Sequence, residues 1–319
     1  VTIRLDPEQI RAGRERIPAE FLDSGQFLSD ELSAVAGRPI VVKVETVNPV
    51  GAFKGRGAWL AVEALLASRA VGPDRGIVVA STGNFGQSVA YAGRAFGVPV
   101  TVFAGVDGNP RKLARIGRLG ATVRQEGHDF DAARQASEAF ARDSGQALLV
   151  DGEDLWTAIG AGTLAVELTD AIERGELPPV AAAYIPVGNG ALIAGVGAWL
   201  RHAAPNAKVI GVQSDAAPSM TLSWREGRPI ETETADTRAG GIATRVPVPE
   251  ALEMMEGVVD DMILVSEDDL ERAQRVLQGA LGVTAELASA ASWAGLVAAP
   301  VEGEGAAFVL VTGSNAEDG

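Results

Sequence analysis

Four stretches of the chain hold residue types at spacings that could do chemistry. In Asn48-Pro49-Val50-Gly51-Ala52-Phe53-Lys54-Gly55-Arg56-Gly57-Ala58, a lysine sits between an aromatic residue and a glycine in a turn punctuated by glycine. Lysine is used only at Lys43, Lys54, Lys112 and Lys208, while arginine serves wherever a plain cation would do. Lys54 is therefore a candidate amine nucleophile of the Schiff-base-forming kind, with a solvated surface lysine as the competing reading. Ser81-Thr82-Gly83-Asn84-Phe85-Gly86-Gln87 offers hydroxyls, amides and helix-start N–H groups suited to a carboxylate; an ordinary Asn helix cap is the alternative. Val187-Gly188-Asn189-Gly190-Ala191-Leu192 closes a strand-like run and opens a helix-like one. That places unpaired N–H groups and a helix dipole against an anion, for which phosphate is the natural occupant, although a merely tight turn has the same pattern. Val309-Leu310-Val311-Thr312-Gly313-Ser314-Asn315 ends a β-like run with a hydroxyl and a glycine turn, or is a last strand fraying out.

The elements that must position these stretches follow from periodicity. From Ile40 onward, short β-branched runs alternate with longer Ala/Leu/Arg-rich helical patterns, the rhythm of βαβ units around a parallel sheet, so the fold class is α/β. The runs predict strands at 40–45, 76–80, 98–103, 121–124, 148–150, 182–186, 208–213, 262–265 and 307–311. Three of the four chemical stretches sit where a strand gives way to a helix, and ligands collect at those carboxyl ends. Gly120, after Arg115 and Arg118, predicts a left-handed helix stop. Ser266–Asp269 predicts a helix N-terminus, and the polar segment 226–245 a long surface or active-site loop.

Composition narrows the function. The 319 residues are enough for about two domains. A net charge of −15 argues against phosphate backbones and anionic membrane surfaces as partners. Cysteine is absent, and only His128 and His202 represent histidine, which removes disulfides and thiolate chemistry and leaves no ready metal centre. Residues 179–200 carry no charge and are long enough to span a bilayer. Pro186, Asn189 and four glycines interrupt them, which favours a buried α/β unit. Val1–Glu15 lacks the apolar core of a secretory signal, giving a cytoplasmic expectation.

Taken in order, the four stretches resemble the fold-type II pyridoxal-phosphate enzymes, the group of serine/threonine dehydratases, serine racemase, threonine synthase and cysteine synthase. The likeness covers most of the chain. Lys112–Val123, Gly160–Glu167 and Val209–Gln213 add to it. It implies a tryptophan synthase β-subunit-like pair of open parallel-sheet domains with flanking helices: a larger cofactor-binding one from 1–65 and 152–319, and a smaller mobile one from 66–151. A homodimer with pyridoxal 5'-phosphate as cofactor is also implied. Lys54 would hold the cofactor as an internal aldimine and later remove the Cα proton. Phe53 would pack by the ring and Asn84 would bond its phenolic oxygen. Gly188, Asn189, Gly190, Ala191 and Leu192 would cradle the phosphate, and Thr312 would face the pyridine nitrogen. Ser81, Thr82, Gly83 and Gln87 would receive the substrate carboxylate, with Phe85 beside them in the substrate pocket.

The resemblance implies elimination of water from a threonine- or serine-like β-hydroxy amino acid, giving a 2-oxo acid and ammonia. A β- or γ-replacement enzyme of the threonine synthase or cysteine synthase kind is the alternative, ahead of a racemase or a catalytically silent cofactor-binding protein. Dehydratases of the group commonly have His where Phe85 stands and Asp-Gly where Gly240-Gly241 stand. Ala19-Glu20-Phe21-Leu22 occupies the place of a usual Thr-Pro-Leu. Gln213, Ala217 and Ser219 replace the carboxylates of the racemase cation site, and Thr82 replaces its acid/base serine. The chain stops soon after Thr312, so no C-terminal regulatory domain is expected.

Overall fold

A computed structural model of the chain describes residues 3–106, 108–128 and 130–315. Among the described residues ten strands form: β1 (Gln26–Leu28), β2 (Ile40–Val44), β3 (Ile77–Ala80), β4 (Val100–Ala104), β5 (Thr122–Gln125), β6 (Ala147–Leu148), β7 (Val180–Pro186), β8 (Lys208–Ser214), β9 (Asp261–Val265) and β10 (Ala306–Val311). They pair as a six-stranded sheet, β1-β2-β10-β7-β8-β9, and a four-stranded sheet, β5-β4-β3-β6. Every pairing is parallel except β1 with β2. The strands of the smaller sheet all fall between residues 77 and 148, and those of the larger lie on either side of that span.

The nine runs expected from β-branching each overlap a strand, because strands covered by helices on both faces are continuously apolar; the run 148–150 meets β6 only at Leu148, since the strand is the two residues Ala147 and Leu148. Residues of β2 and β10 are buried at every position. The fourth strand begins at Val100 rather than Val98, since Pro99 brings no N–H to a ladder. β1 was not anticipated: three residues on an antiparallel edge, with Phe27 and Leu28 exposed, leave no periodic trace. Residues 179–200 divide into β7, a turn and the helix Ala191–Ala203. No helix among the described residues is long and apolar enough to cross a membrane. Gly120 has φ +98° as expected, and Ser266 and Asp269 form a reciprocal capping box. Between Gly227 and Val248 the chain makes only the short 3-10 turn Gly240–Ile242.

Three helices that flank the large sheet touch backbone to backbone. A Cβ on Gly160, in the helix Leu155–Glu173, would lie 2.5 Å from the N and Cα of Gly57 in the helix Lys54–Ala67. One on Gly195, in the helix Ala191–Ala203, would lie 2.0 Å from the carbonyl oxygen of Ala158. The Gly160-Ala161-Gly162-Thr163 run therefore exists to let three helices approach more closely than side chains allow.

Beneath this contact lies a buried ionic cluster. Arg56 is fully enclosed; its Nε and Nη2 donate to Glu45 at 3.1 and 3.0 Å, and its Nη1 donates to Glu167 at 2.6 Å and to Thr163 at 3.1 Å. Lys43 Nζ donates to Glu167 Oε2 at 2.6 Å. Two cations thus face two carboxylates with no net charge. Burial alone would raise the Glu167 pKa, but the charges and hydrogen bonds of Arg56 and Lys43 hold it below the ordinary value. For Lys43 burial prevails and its pKa is lowered.

This packing makes two substitutions costly. Gly195→Ala destabilises the fold by about 1–3 kcal/mol through overpacking. Arg56→Met leaves two buried carboxylates short of a cation and costs about 3–5 kcal/mol. Urea unfolding followed by circular dichroism measures both, and midpoints equal to wild type would contradict them.

Candidate active site

The lysine turn is built by Asn48. Its Oδ1 accepts from the N–H groups of Val50, Gly51 and Ala52 at 3.1, 2.9 and 3.3 Å, and its Nδ2 donates to the carbonyls of Glu45 and Ala52. Gly51, at φ +67°, supplies the left-handed step this turn requires. The turn then zips onto the end of β10: Glu45 N–H donates to Val311 O at 2.9 Å, Phe53 N–H to Thr312 O at 3.0 Å, and Ala52 bridges Gly313. Thr312 is therefore no fraying end. It is buried, and its Oγ1 lies 3.0 Å from Ser289 Oγ, which also bonds Gly313.

Lys54 opens the helix that follows. Its side chain is 16% exposed, ruling out a solvated surface lysine, and its Nζ meets Asp151 Oδ2 at 2.6 Å. The same nitrogen stands 4.9 Å from the centre of the Phe53 ring. Gly55 is next to it because the Phe21 ring fills the space a Cβ would need, 2.2 Å away. The Ala19–Leu22 stretch thus props the lysine turn from behind, and Phe21 in turn packs edge-on against Tyr91 at 5.4 Å.

The Ser81–Gln87 turn leaves β3, in the smaller sheet. A Cβ on Gly86 would sit 2.0 Å from Ser81 O, so the turn folds tightly over its own glycine. The helix starts at Asn84 with Gly83 as its cap, which excludes the Asn-cap alternative. Instead, Asn84 Nδ2 donates to Glu286 Oε1 and Oε2 at 2.9 and 3.1 Å, and its Oδ1 accepts from Asn315 Nδ2 at 2.6 Å. Gln87 is buried, and its amide oxygen has no partner among the described residues; such an orphan is what a polar ligand satisfies.

The glycine loop follows β7. Gly190, at φ +99°, caps the helix Ala191–Ala203. A Cβ on Gly188 would lie 2.6 Å from Gly241 O, so the loop is pressed against the 3-10 turn of the long polar segment. Asn189 fastens it sideways, donating from Nδ2 to Asp151 O at 3.1 Å and accepting from Thr244 Oγ1 at 3.2 Å. The first-turn N–H groups of the helix have no intrahelical acceptor and, with its dipole, face the cavity as an anion seat.

One cavity is lined by Phe53, Lys54, Asn84, Gly188–Leu192 and Thr312 together. It adjoins a cleft of about 980 Å³ whose wall includes Ser81, Thr82, Gly83, Phe85 and Gln87 and to which Lys54, Asn84 and Asp151 also contribute. The structure thus gathers every residue the sequence put forward. Asp151 and Glu286 join them unannounced, and Gly241 joins them from the polar segment expected to be a surface or active-site loop. Asp151 follows an expected strand, so the strand-end rule applied there would have found it. Glu286 precedes the helix Leu287–Ala298 and reaches Asn84 only through the fold.

The family model described as "Pyridoxal-phosphate dependent enzyme" matches residues 27–313. This chain belongs to that family. Among family relatives, the L-threonine ammonia-lyase of Thermotoga maritima is 35% identical over 81% of this chain and 65% of its own length. That of Geobacter sulfurreducens is 31% identical over 84% of this chain and, again, 65% of the relative. The chain thus spans about two thirds of the length of these two relatives. A putative threonine dehydratase of Sinorhizobium fredii is 30% identical over 99% of this chain and 93% of the relative. A solved threonine deaminase from the source abbreviated T.th. superposes with a TM-score of 0.87 at 28% identity, covering 98% of this chain and 99% of that one. Maize serine racemase, with a TM-score of 0.89 at 22% identity, covers 99% of this chain and 95% of that one and shares the fold.

The cofactor of the family is pyridoxal phosphate, and the cavity fits it. An amine, a helix start whose free N–H groups suit an anion, with Gly188 leaving no room for a Cβ and Gly190 at a positive φ, and a fixed amide converge there. Gly188→Ala forces the loop off Gly241 and weakens pyridoxal phosphate binding by about tenfold, or about 1.4 kcal/mol, within the roughly 1–3 kcal/mol cost of overpacking. Equilibrium dialysis against the cofactor checks this, and unchanged affinity would contradict it.

Proposed function

We propose that this family member is a pyridoxal-phosphate-dependent ammonia-lyase that removes water from a threonine- or serine-like β-hydroxy amino acid, giving a 2-oxo acid and ammonia. The observation that carries this reading is the convergence of Lys54, the Gly188–Leu192 anion seat and the Ser81–Gln87 turn on one cleft. Relatives named L-threonine ammonia-lyase support the choice of reaction.

Bound pyridoxal phosphate supplies an aldehyde that takes up amines and a conjugated ring that accepts electrons from the substrate α-carbon. Lys54 would hold it through Nζ and, as a free amine, would take the substrate's α-proton. The N–H groups from Gly188 to Leu192 hold the phosphate, and Phe53 lies beside the ring. Asn84, oriented by Glu286 and Asn315, is offered to the phenolic oxygen. Thr312 presents a hydroxyl, not a carboxylate, to the pyridine nitrogen. A hydroxyl there would not hold a proton on that nitrogen as a carboxylate does, a setting suited to expulsion of the β-hydroxyl. Ser81, Thr82, Gly83 and Gln87 bind the substrate carboxylate, and Phe85 borders its side chain.

This reading divides the protein at 1–65 with 152–319 against 66–151. The carboxylate turn leaves a strand of the smaller sheet, whereas the glycine loop and Thr312 follow strands of the larger one. Carboxylate binding would draw the two together over the reacting atoms and exclude water. The working unit is taken as a homodimer, as the family resemblance implies, and the cytoplasmic location stays an expectation.

The test is release of 2-oxo acid and ammonia by the cofactor-loaded protein across L- and D-amino acids led by threonine and serine. Equal release of both products from threonine or serine is expected, and Lys54→Ala lowers it by at least about 10²–10⁴-fold. Consumption of substrate only when a second nucleophile is supplied would make the protein a replacement enzyme, and inertness toward every amino acid would refute the reading.

A further inference from the structure

Asp151 is held more firmly than a residue in a surface turn. Its carbonyl accepts from Asn189 in the glycine loop, and Gly152 after it, at φ +90°, would place a Cβ 2.9 Å from Asn189 O. Two residues on, Asp154 caps the helix Leu155–Glu173 by accepting from Trp156 N–H at 2.8 Å. The turn is thus clamped between the anion seat and a helix start, and its carboxylate points at Lys54. Both side chains are mostly buried, at 16% and 13% exposed, and the pair closes at 2.6 Å. Among the described residues Lys54 is the only cation within ion-pair distance of Asp151.

The other charged groups around the cleft have different positions or duties. Glu286 is engaged with Asn84. Arg238 pairs with Glu271. Lys112, Arg134 and Arg245 line the wider cleft and not the inner cavity. Asp151 is the carboxylate in contact with the reacting nitrogen.

A mostly buried carboxylate that loses its cation is costly. Resting on the reading of Lys54 as the amine that holds the cofactor, we propose that Asp151 is the counter-ion of the imine nitrogen formed there. If the nitrogen became a neutral imine, Asp151 would face the cavity with no cation in contact. Keeping the proton on that nitrogen preserves the pair, so the linkage favours the protonated imine. Protonation makes the imine carbon more electrophilic toward an incoming amine. Asp151 thereby prepares the site for exchange of lysine for substrate, a role the Ser81–Gln87 turn and the phosphate seat cannot fill.

The experiment uses the holoprotein and needs no turnover. Its visible spectrum is recorded across pH, and the midpoint is taken where the long-wavelength band of the protonated imine is half lost. In Asp151→Asn, which preserves shape but removes the charge, the midpoint falls by about 1–3 pH units. In Asp151→Glu, which restores a carboxylate, it lies between the two. Borohydride reduction followed by peptide mass analysis shows whether the cofactor is fixed on Lys54. Fixation on Lys54 with the same midpoint in wild type and Asp151→Asn overturns the counter-ion role while leaving the lysine assignment standing. Fixation elsewhere overturns the lysine assignment and the inference with it.

Discussion

Where Gly57 meets Gly160, two helices touch through their main chains, and the same middle helix meets a third where Ala158 meets Gly195. The lysine helix and the helix after the glycine loop are thereby set on either side of Leu155–Glu173 at distances that side chains would not permit. Lys54 begins the first of these helices, Asp151 lies just before the second, and the glycine loop leads into the third. The inner cavity is what remains between three helix starts drawn close together. A larger residue at any of the contacts would spread the starts apart before it disturbed any chemical group.

The buried ionic cluster complements that contact. Arg56 lies two positions beyond Lys54 on the same helix and is tied to Glu45 after β2 and to Glu167 in the middle helix. Glycine contacts set how near the helices come but do little to fix rotation or register. Directional charge-assisted bonds do that. The guanidinium, with its fork-shaped set of donors, suits the task better than an ammonium, which gives the arginine of the lysine turn a structural purpose distinct from catalysis.

Much of this was legible in the sequence. The parallel strands announced themselves because burial on both faces demands unbroken β-branched runs, and the chemical turns because they sit at strand ends and are rich in glycine. What escaped detection lacked a local signature. β1 is three residues long and half solvated. Glu286 becomes part of the site only because Asn84, 202 positions earlier, reaches it. The zipper between the Asn48 turn and Thr312 likewise joins residues that no periodicity connects. Phe21 enters the sequence only as part of the Ala19–Leu22 stretch, and its place against Gly55 shows in the fold alone. Sequence therefore pointed to most of the groups proposed to act, and tertiary structure to those that hold them.

The position of β10 matters for how the protein comes to exist. It is the last of the ten strands to be synthesised, yet it lies between β2 and β7 in the middle of the larger sheet. As the chain leaves the ribosome, β2 and β7 must wait with apolar faces and unpaired edges until residue 311 emerges. The smaller sheet, contiguous from residue 77 to 148, can close long before. Such late closure of long-range parallel pairings is slow and exposes surfaces prone to association. Thr312 and the lysine turn come together in that same closing event, so the cofactor site is completed only when the tenth strand takes its place.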